Sequence, residues 1–289
     1  MPKMIYQIYD KMFKKILTLS STAVINLING LFETNYPPNS TITYNWTEFE
    51  DNELRKTLAD TIITINNLHS YHLEAQMSID ENIIFRVFDY GYSHAKRNFQ
   101  DEFHSYTLQF PEPKIIYLYA ESDIPDAYIL TLDFGTQGSF EYKVPTMNYQ
   151  KITTEELNQK KMIILIPFSL LKLRNTLEKE RSPENLVRLQ TLIQNDIIHS
   201  IDNNLRVGNI TMDDARKLRS LTHKLYSHLY AHYEEMEELN EMTDESLLLD
   251  IEIIEKKHEQ EIAALQEELK RQQEEVIRLK KQLEEAHRS

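Results

Sequence analysis

Tyr71-His72-Leu73-Glu74-Ala75-Gln76-Met77-Ser78 alternates apolar and polar side chains without a fault, the period of a β-strand that buries one face. Tyr71, Leu73, Ala75 and Met77 are expected on the core side, with His72, Glu74, Gln76 and Ser78 sharing the other. A Thr/Ile-rich run over residues 56–66 precedes it and joins it through Asn66-Asn67-Leu68. An antiparallel pair turning at that loop brings Asp60 to within about one rung of Glu74. Like charges facing each other across a sheet repel, so the pair makes sense if a cation sits between the carboxylates or one stays protonated. Oxygen ligands in a chain with no cysteine point to Mg2+ or Mn2+. A plain solvent-facing sheet surface is the competing explanation for the same pattern.

Working outward, Asp10 to Phe32 carries apolar residues at helical spacing, and residues 41–49 are strand-like. A helix is expected from about Asp80 to Arg97, then a buried strand at Ile115 to Ala120. Residues 127–145 have the pattern of a hairpin turning at Gly135-Thr136-Gln137-Gly138. Beyond Thr153 the pattern becomes helical. Met162 to Leu173 looks buried, Ser182-Pro183-Glu184 opens a helix with Ser182 as N-cap, and Asp213 to about Leu239 forms another. From Asp244 the composition shifts to Glu, Lys, Gln, Arg and Leu. Ile262, Leu265, Leu269, Gln272, Val276, Leu279, Leu283 and Ala286 fall on successive a and d heptad positions. A coiled coil pairing two copies of the chain is expected, with a solvated single helix as the alternative.

Composition narrows the chemistry. The absence of cysteine among 289 residues removes disulfides, zinc ribbons and thiol nucleophiles. No run approaches the roughly 18 apolar residues of a membrane span, and the start shows no basic stretch followed by a long apolar one. A cytoplasmic protein with no membrane partner is expected, so the sequons at Asn39, Asn45 and Asn209 carry no meaning as glycosylation sites. The net charge of −14, spread over both halves, advertises no basic face. DNA contact would therefore rest on a few local cations and on a bound metal that offsets carboxylate charge. Only five glycines exist, and none forms a GxGxxG or phosphate-binding loop; there is no GxSxG elbow. His228 and His232 lie four apart on an expected helix, but no HExxH surrounds them and a solvated helix face is the better account.

Four pieces in order, Asp10-x-x-Phe13-Lys14, Leu54-Arg55-Lys56-x-x-x-Asp60, Tyr71-His72-x-Glu74-x-Gln76 and Phe85-Arg86-x-x-x-Tyr90, resemble the recombination-promoting nuclease / putative transposase group of the PD-(D/E)xK superfamily. The resemblance covers roughly residues 6–175. It implies an α/β restriction-endonuclease-like core, a mixed sheet flanked by helices, over residues 1–178. A helical extension over 179–240 and the coiled coil over 241–289 would follow. It further implies a Mg2+-dependent endodeoxyribonuclease in which Asp60 and Glu74 hold the metal, with the backbone carbonyl of Ala75 as third ligand. Gln76 stands where the superfamily usually has lysine, and glutamine can orient a water or a phosphate oxygen but brings no charge. Lys14, Arg86 and Tyr90 become the DNA-contacting candidates, and Asp10 matches the group's N-terminal acid. Arg86 and Tyr90, one helical turn apart, could reach one phosphate together or could serve as an internal ion pair and a core-edge tyrosine. His72 lies on the same face and is expected to be a partly exposed, inert histidine. The rival to catalysis is an inactive nuclease-fold protein that serves as an oligomerising interaction module.

Overall fold

A computed structural model describes residues 2–48, 58–119, 123–248 and 270–273. The N-terminal helical run is two helices, α1 (Pro2–Ile16) and α2 (Ser21–Phe32), bent by 106°. Three strands follow, β1 (Ile42–Glu48), β2 (Leu58–Ile65) and β3 (His69–Gln76), then helix α3 (Ile83–Arg97). A small hairpin, β4 (Gln100–Glu102) and β5 (Ser105–Thr107), leads into β6 (Glu112–Tyr117), β7 (Ala127–Asp133) and β8 (Ser139–Asn148). The remainder is helical: α4 (Thr154–Gln159), a 3-10 stretch over Ile163–Leu173, α5 (Arg174–Lys179), α6 (Pro183–Thr191), a π-helical turn over Leu192–Ile198, α7 (His199–Arg206), α8 (Met212–Leu229) and α9 (Glu237–Leu247).

The fold is α/β, with a mixed six-stranded sheet in the order β1-β2-β3-β6-β8-β7 flanked by helices. The pairs β3/β6 and β6/β8 are parallel, and the others antiparallel. The turn between β2 and β3 sets the register. Asn66 and Asn67 both sit in the left-handed region, at φ of 53° and 55°, which asparagine tolerates better than branched residues do. Ile65 then pairs with His69 and Ile63 with Tyr71. A slip of one residue would turn every side chain of β3 to the wrong face.

Each face of the sheet buries a different set. Ile63, Ile65, Tyr71, Leu73, Ile116 and Leu118 join a large cluster that runs from Tyr9 in α1 to Leu247 in α9. On the other face α3 contributes Ile83, Ile84 and Val87 to a smaller cluster with Ile115 and Tyr117 of β6 and Tyr142 and Val144 of β8. The helical region after residue 178 thus shares the large core with the sheet. Among the described residues no single helix is long and apolar enough to cross a membrane.

Several expectations change. The run from Asp10 to Phe32 breaks at Leu17–Ser20 because Ser20 caps α2, its side chain accepting from the Ala23 N–H while its own N–H and hydroxyl donate to Asp214, 2.8 and 2.5 Å away. The helix begun near Asp213 stops at Leu229, so His228 and His232 do not share a helix. His228 packs edge-on against Tyr9 at 5.8 Å. Hairpin β4/β5 was not expected. The coiled-coil heptads lie outside the described residues apart from a helical fragment at 270–273, while α9 packs Leu239 and Leu247 into the large core.

Gly30 marks where α2 meets the segment before the 3-10 stretch. A Cβ there would lie 2.5 Å from Met162 Cγ and 2.6 Å from the Lys160 carbonyl oxygen. Gly30→Ala is therefore expected to destabilise the protein by about 1–3 kcal/mol through overpacking, even after the gain in helix propensity of about 1 kcal/mol. Urea denaturation of the variant beside the wild type checks this; an unchanged midpoint would mean that α2 is free to shift.

Candidate metal centre

β3 is an interior strand, and its polar face lies under α3. Arg86, Tyr90 and His94 recur every fourth residue of α3, giving a stripe that advances about 6 Å per step. Ser70, His72 and Glu74 recur every second residue of β3, about 6.6 Å per step. The two stripes run in opposite directions and meet rung by rung. Arg86 Nη2 donates to Glu74 Oε1 at 2.7 Å, the Tyr90 ring meets His72 edge-on at 6.0 Å, and His94 Nε2 lies 3.2 Å from Ser70 Oγ.

Glu74 is 2% exposed. Its Oε1 accepts from Arg86 and also from Gln76 Nε2 at 2.5 Å, while Oε2 is buried with no hydrogen-bond partner among the described residues. Arg86 reaches Asp80 as well, at 3.0 Å, and keeps 32% of its side chain exposed. A buried carboxylate oxygen without a partner is costly. That makes this oxygen a marked point in the site.

The β2/β3 pairing runs from Ile65↔His69 to Thr61↔Leu73, and beyond Thr61 strand β2 shifts register against β1, from Trp46↔Thr61 to Glu48↔Leu58. The expected facing of Asp60 and Glu74 lies one residue past the paired stretch. The side chain of Asp60 lies outside the described residues. Ala75, paired with Ile116 of β6, turns its side chain toward the large cluster. The donor set fits a divalent cation in one respect: Glu74 offers a buried oxygen that has no hydrogen-bond partner among the described residues. Among the described residues alone, no group of three His, Asp or Glu side chains is placed to hold a metal ion.

His72 differs most from expectation. It is 1% exposed rather than partly exposed, neither ring nitrogen has a hydrogen-bond partner among the described residues, and burial, with a smaller contribution from His94, pushes its pKa down to about 3. The strand pattern placed it on the correct face but could not show that α3 covers that face. The spacing of Arg86, Tyr90 and His94 was the available signal for that cover. Tyr90 is itself buried.

Asp10 and Lys14 pair with each other at 3.3 Å on α1. The buried side of α1, with Tyr9, Met12, Phe13 and Ile16, belongs to the large cluster on the Leu73 side of the sheet. Glu74, Gln76 and Arg86 are brought together on the α3 side. A cavity of about 570 Å3 opens at the far end of the polar row, where Ser70 and His94 line it beside His69 and Glu112. Compared with known protein families, with curated proteins and with solved structures, the chain matches none.

The internal role of Arg86 can be measured. Arg86→Ala leaves the buried Glu74 carboxylate with Gln76 alone, and a loss of about 2 kcal/mol is expected after allowing for the exposed part of the guanidinium. In a Glu74→Gln background the same substitution should cost less than half as much, because the charge it served is gone. A urea double-mutant cycle gives both values; equal costs in the two backgrounds would show that the pair contributes nothing to stability.

Proposed function

We propose that this chain is a metal-dependent DNA endonuclease with a PD-(D/E)xK restriction-endonuclease-like core, linked to recombination or mobile elements, and paired as a homodimer through the heptads of residues 241–289. The observation that carries the reading is the buried Oε2 of Glu74, which has no hydrogen-bond partner among the described residues; the reading takes Asp60, one residue past the β2/β3 pairing, as the second carboxylate. The order of helix, three strands, helix and strand agrees with the resemblance.

A magnesium or manganese ion held by Asp60 and Glu74, with the Ala75 carbonyl as third ligand, supplies the Lewis-acid and water-polarising chemistry of phosphodiester hydrolysis when bound. The chain's own groups do the rest. Arg86 is exposed enough to exchange Asp80 for a phosphate oxygen while staying near Glu74. Gln76, once its amide leaves Glu74, has a donor for a water or a phosphate oxygen and no charge to add. Tyr90, one turn along α3 from Arg86, packs edge-on against the His72 ring. Lys14 would reach DNA from α1 only by leaving Asp10.

A second reading, an inactive nuclease-fold scaffold for protein interactions, is favoured by one specific feature. Arg86 Nη2 and Gln76 Nε2 both donate to Glu74 Oε1, and Arg86 Nη1 donates to Asp80, a network that needs no ligand on Oε1.

Supercoiled plasmid incubated with the full chain separates the two. Cleavage is expected with Mg2+ or Mn2+ and not with EDTA, and Asp60→Asn should lower it by orders of magnitude. The apo form of Asp60→Asn should melt no lower than wild type, since like-charge repulsion is relieved, while the rise in Tm on adding metal shrinks. Wild-type cleavage rates in Asp60→Asn would rule out this site, and no cleavage or metal response in either protein would leave the scaffold reading.

A further inference from the structure

The polar face of β3 holds three buried atoms with no partner among the described residues: Nδ1 and Nε2 of His72 and Oε2 of Glu74. Each such atom is costly relative to a satisfied one, and a leucine at position 72 would avoid two of the three penalties. His72 cannot be explained as packing filler. Its ring is held edge-on against Tyr90, and Ile62 faces it across the β2/β3 ladder.

The two residues are adjacent on one face of one strand. Their Cα atoms are about 6.6 Å apart, two strand residues. That span suits an imidazole nitrogen and a carboxylate oxygen converging on one ion, with metal–ligand bonds of about 2.1 Å each. Arg86 and Gln76 approach Glu74 from its Oε1 side, leaving Oε2 for such a ligand.

We propose that His72 is a metal ligand, adding an imidazole nitrogen beside Glu74 Oε2 for a divalent first-row transition metal such as Mn2+, Co2+ or Zn2+. This rests on Glu74 being the cation-binding carboxylate of the proposed function, and it goes beyond the oxygen-only ligand set of Asp60, Glu74 and the Ala75 carbonyl. A nitrogen donor disfavours Mg2+, which takes oxygen ligands, and raises affinity along the series toward zinc. The site would thus prefer manganese or cobalt over magnesium, with His72 as the source of that preference.

Pulsed EPR of the full chain loaded with one equivalent of MnCl2 tests the ligand directly, because an imidazole nitrogen bound to Mn2+ modulates the electron spin echo at 14N frequencies. The chain has ten histidines, so a nitrogen signal must be traced to one of them. In the wild type, 14N modulation is expected, and growth on 15N-histidine should replace it with the 15N pattern. In His72→Leu, which keeps the site filled and apolar, the modulation should vanish and Mn2+ affinity should fall by about tenfold or more. Mn2+ affinity should fall in Glu74→Gln too.

The outcomes separate this inference from the reading beneath it. Mn2+ bound without nitrogen modulation, yet lost in Glu74→Gln, overturns the His72 ligand and leaves the carboxylate site standing; an internal water would then satisfy the imidazole. Modulation that persists in His72→Leu assigns the nitrogen to another histidine and likewise overturns it. No Mn2+ binding by the wild type, or binding indifferent to Glu74→Gln, removes both. Should His72→Leu fail to fold, the 15N-histidine sample still decides whether any imidazole binds the ion, and Glu74→Gln decides whether it does so at this carboxylate. A 15N pattern that Glu74→Gln abolishes then supports the inference, and its absence overturns it.

Discussion

The contact between α3 and β3 is the constraint on which the site depends. Four residues of an α-helix and two residues of a strand advance by nearly the same distance, so a helix lying along a strand can match a stripe of i, i+4, i+8 to one of i, i+2, i+4. Here Arg86, Tyr90 and His94 meet Glu74, His72 and Ser70 in that way. The match explains why an acidic residue and a histidine sit at the centre of a sheet: the helix that covers them brings one cation, one ring and one histidine to the same rungs.

That arrangement is only partly self-satisfying. At one end Ser70 has both His94 and Thr64 within hydrogen-bond distance, and there the polar groups close on each other. At the other, Glu74 uses one oxygen for Arg86 and Gln76, and the second has no partner among the described residues. Between them, neither ring nitrogen of His72 has a hydrogen-bond partner among the described residues. Three of the six buried side-chain atoms without a hydrogen-bond partner among the described residues thus fall on two neighbouring positions of one face, the others being on Tyr9, Tyr142 and Arg181. A domain that needed only stability would fill those positions with apolar side chains, as β2 does at Ile62. Local concentration of this cost is the usual mark of a site built for a ligand.

How much of this could be read beforehand depends on whether the cause was local. The strand over residues 71–76, the hairpin turning at Gly135–Gly138 and the N-cap at Ser182 were all legible, because alternation, glycine turns and capping residues act over a few positions. The break between α1 and α2 was not, since Leu17-Thr18-Leu19 continues the apolar pattern and the deciding bond runs from Ser20 to Asp214, 194 residues away. Short strands such as β4 and β5 carry too few residues for periodicity to show. At the site, Glu74 and Gln76 fall on the face that the alternation predicts, and the Asn66-Asn67 turn fixes the β2/β3 pairing as far as Thr61↔Leu73. The burial of His72 and the commitment of Gln76 to Glu74 depended on α3 folding over the strand, which no local pattern encodes.

The central claim is that Glu74 is a buried carboxylate with one oxygen reserved for a dication. Isothermal titration of the full chain with MnCl2, beside Glu74→Gln, tests it most directly. The account requires one site per chain in the wild type that is tighter than the weak binding of surface carboxylates, and its loss in Glu74→Gln with the fold intact by circular dichroism. Equal binding by the two proteins, or no such site in the wild type, would contradict it.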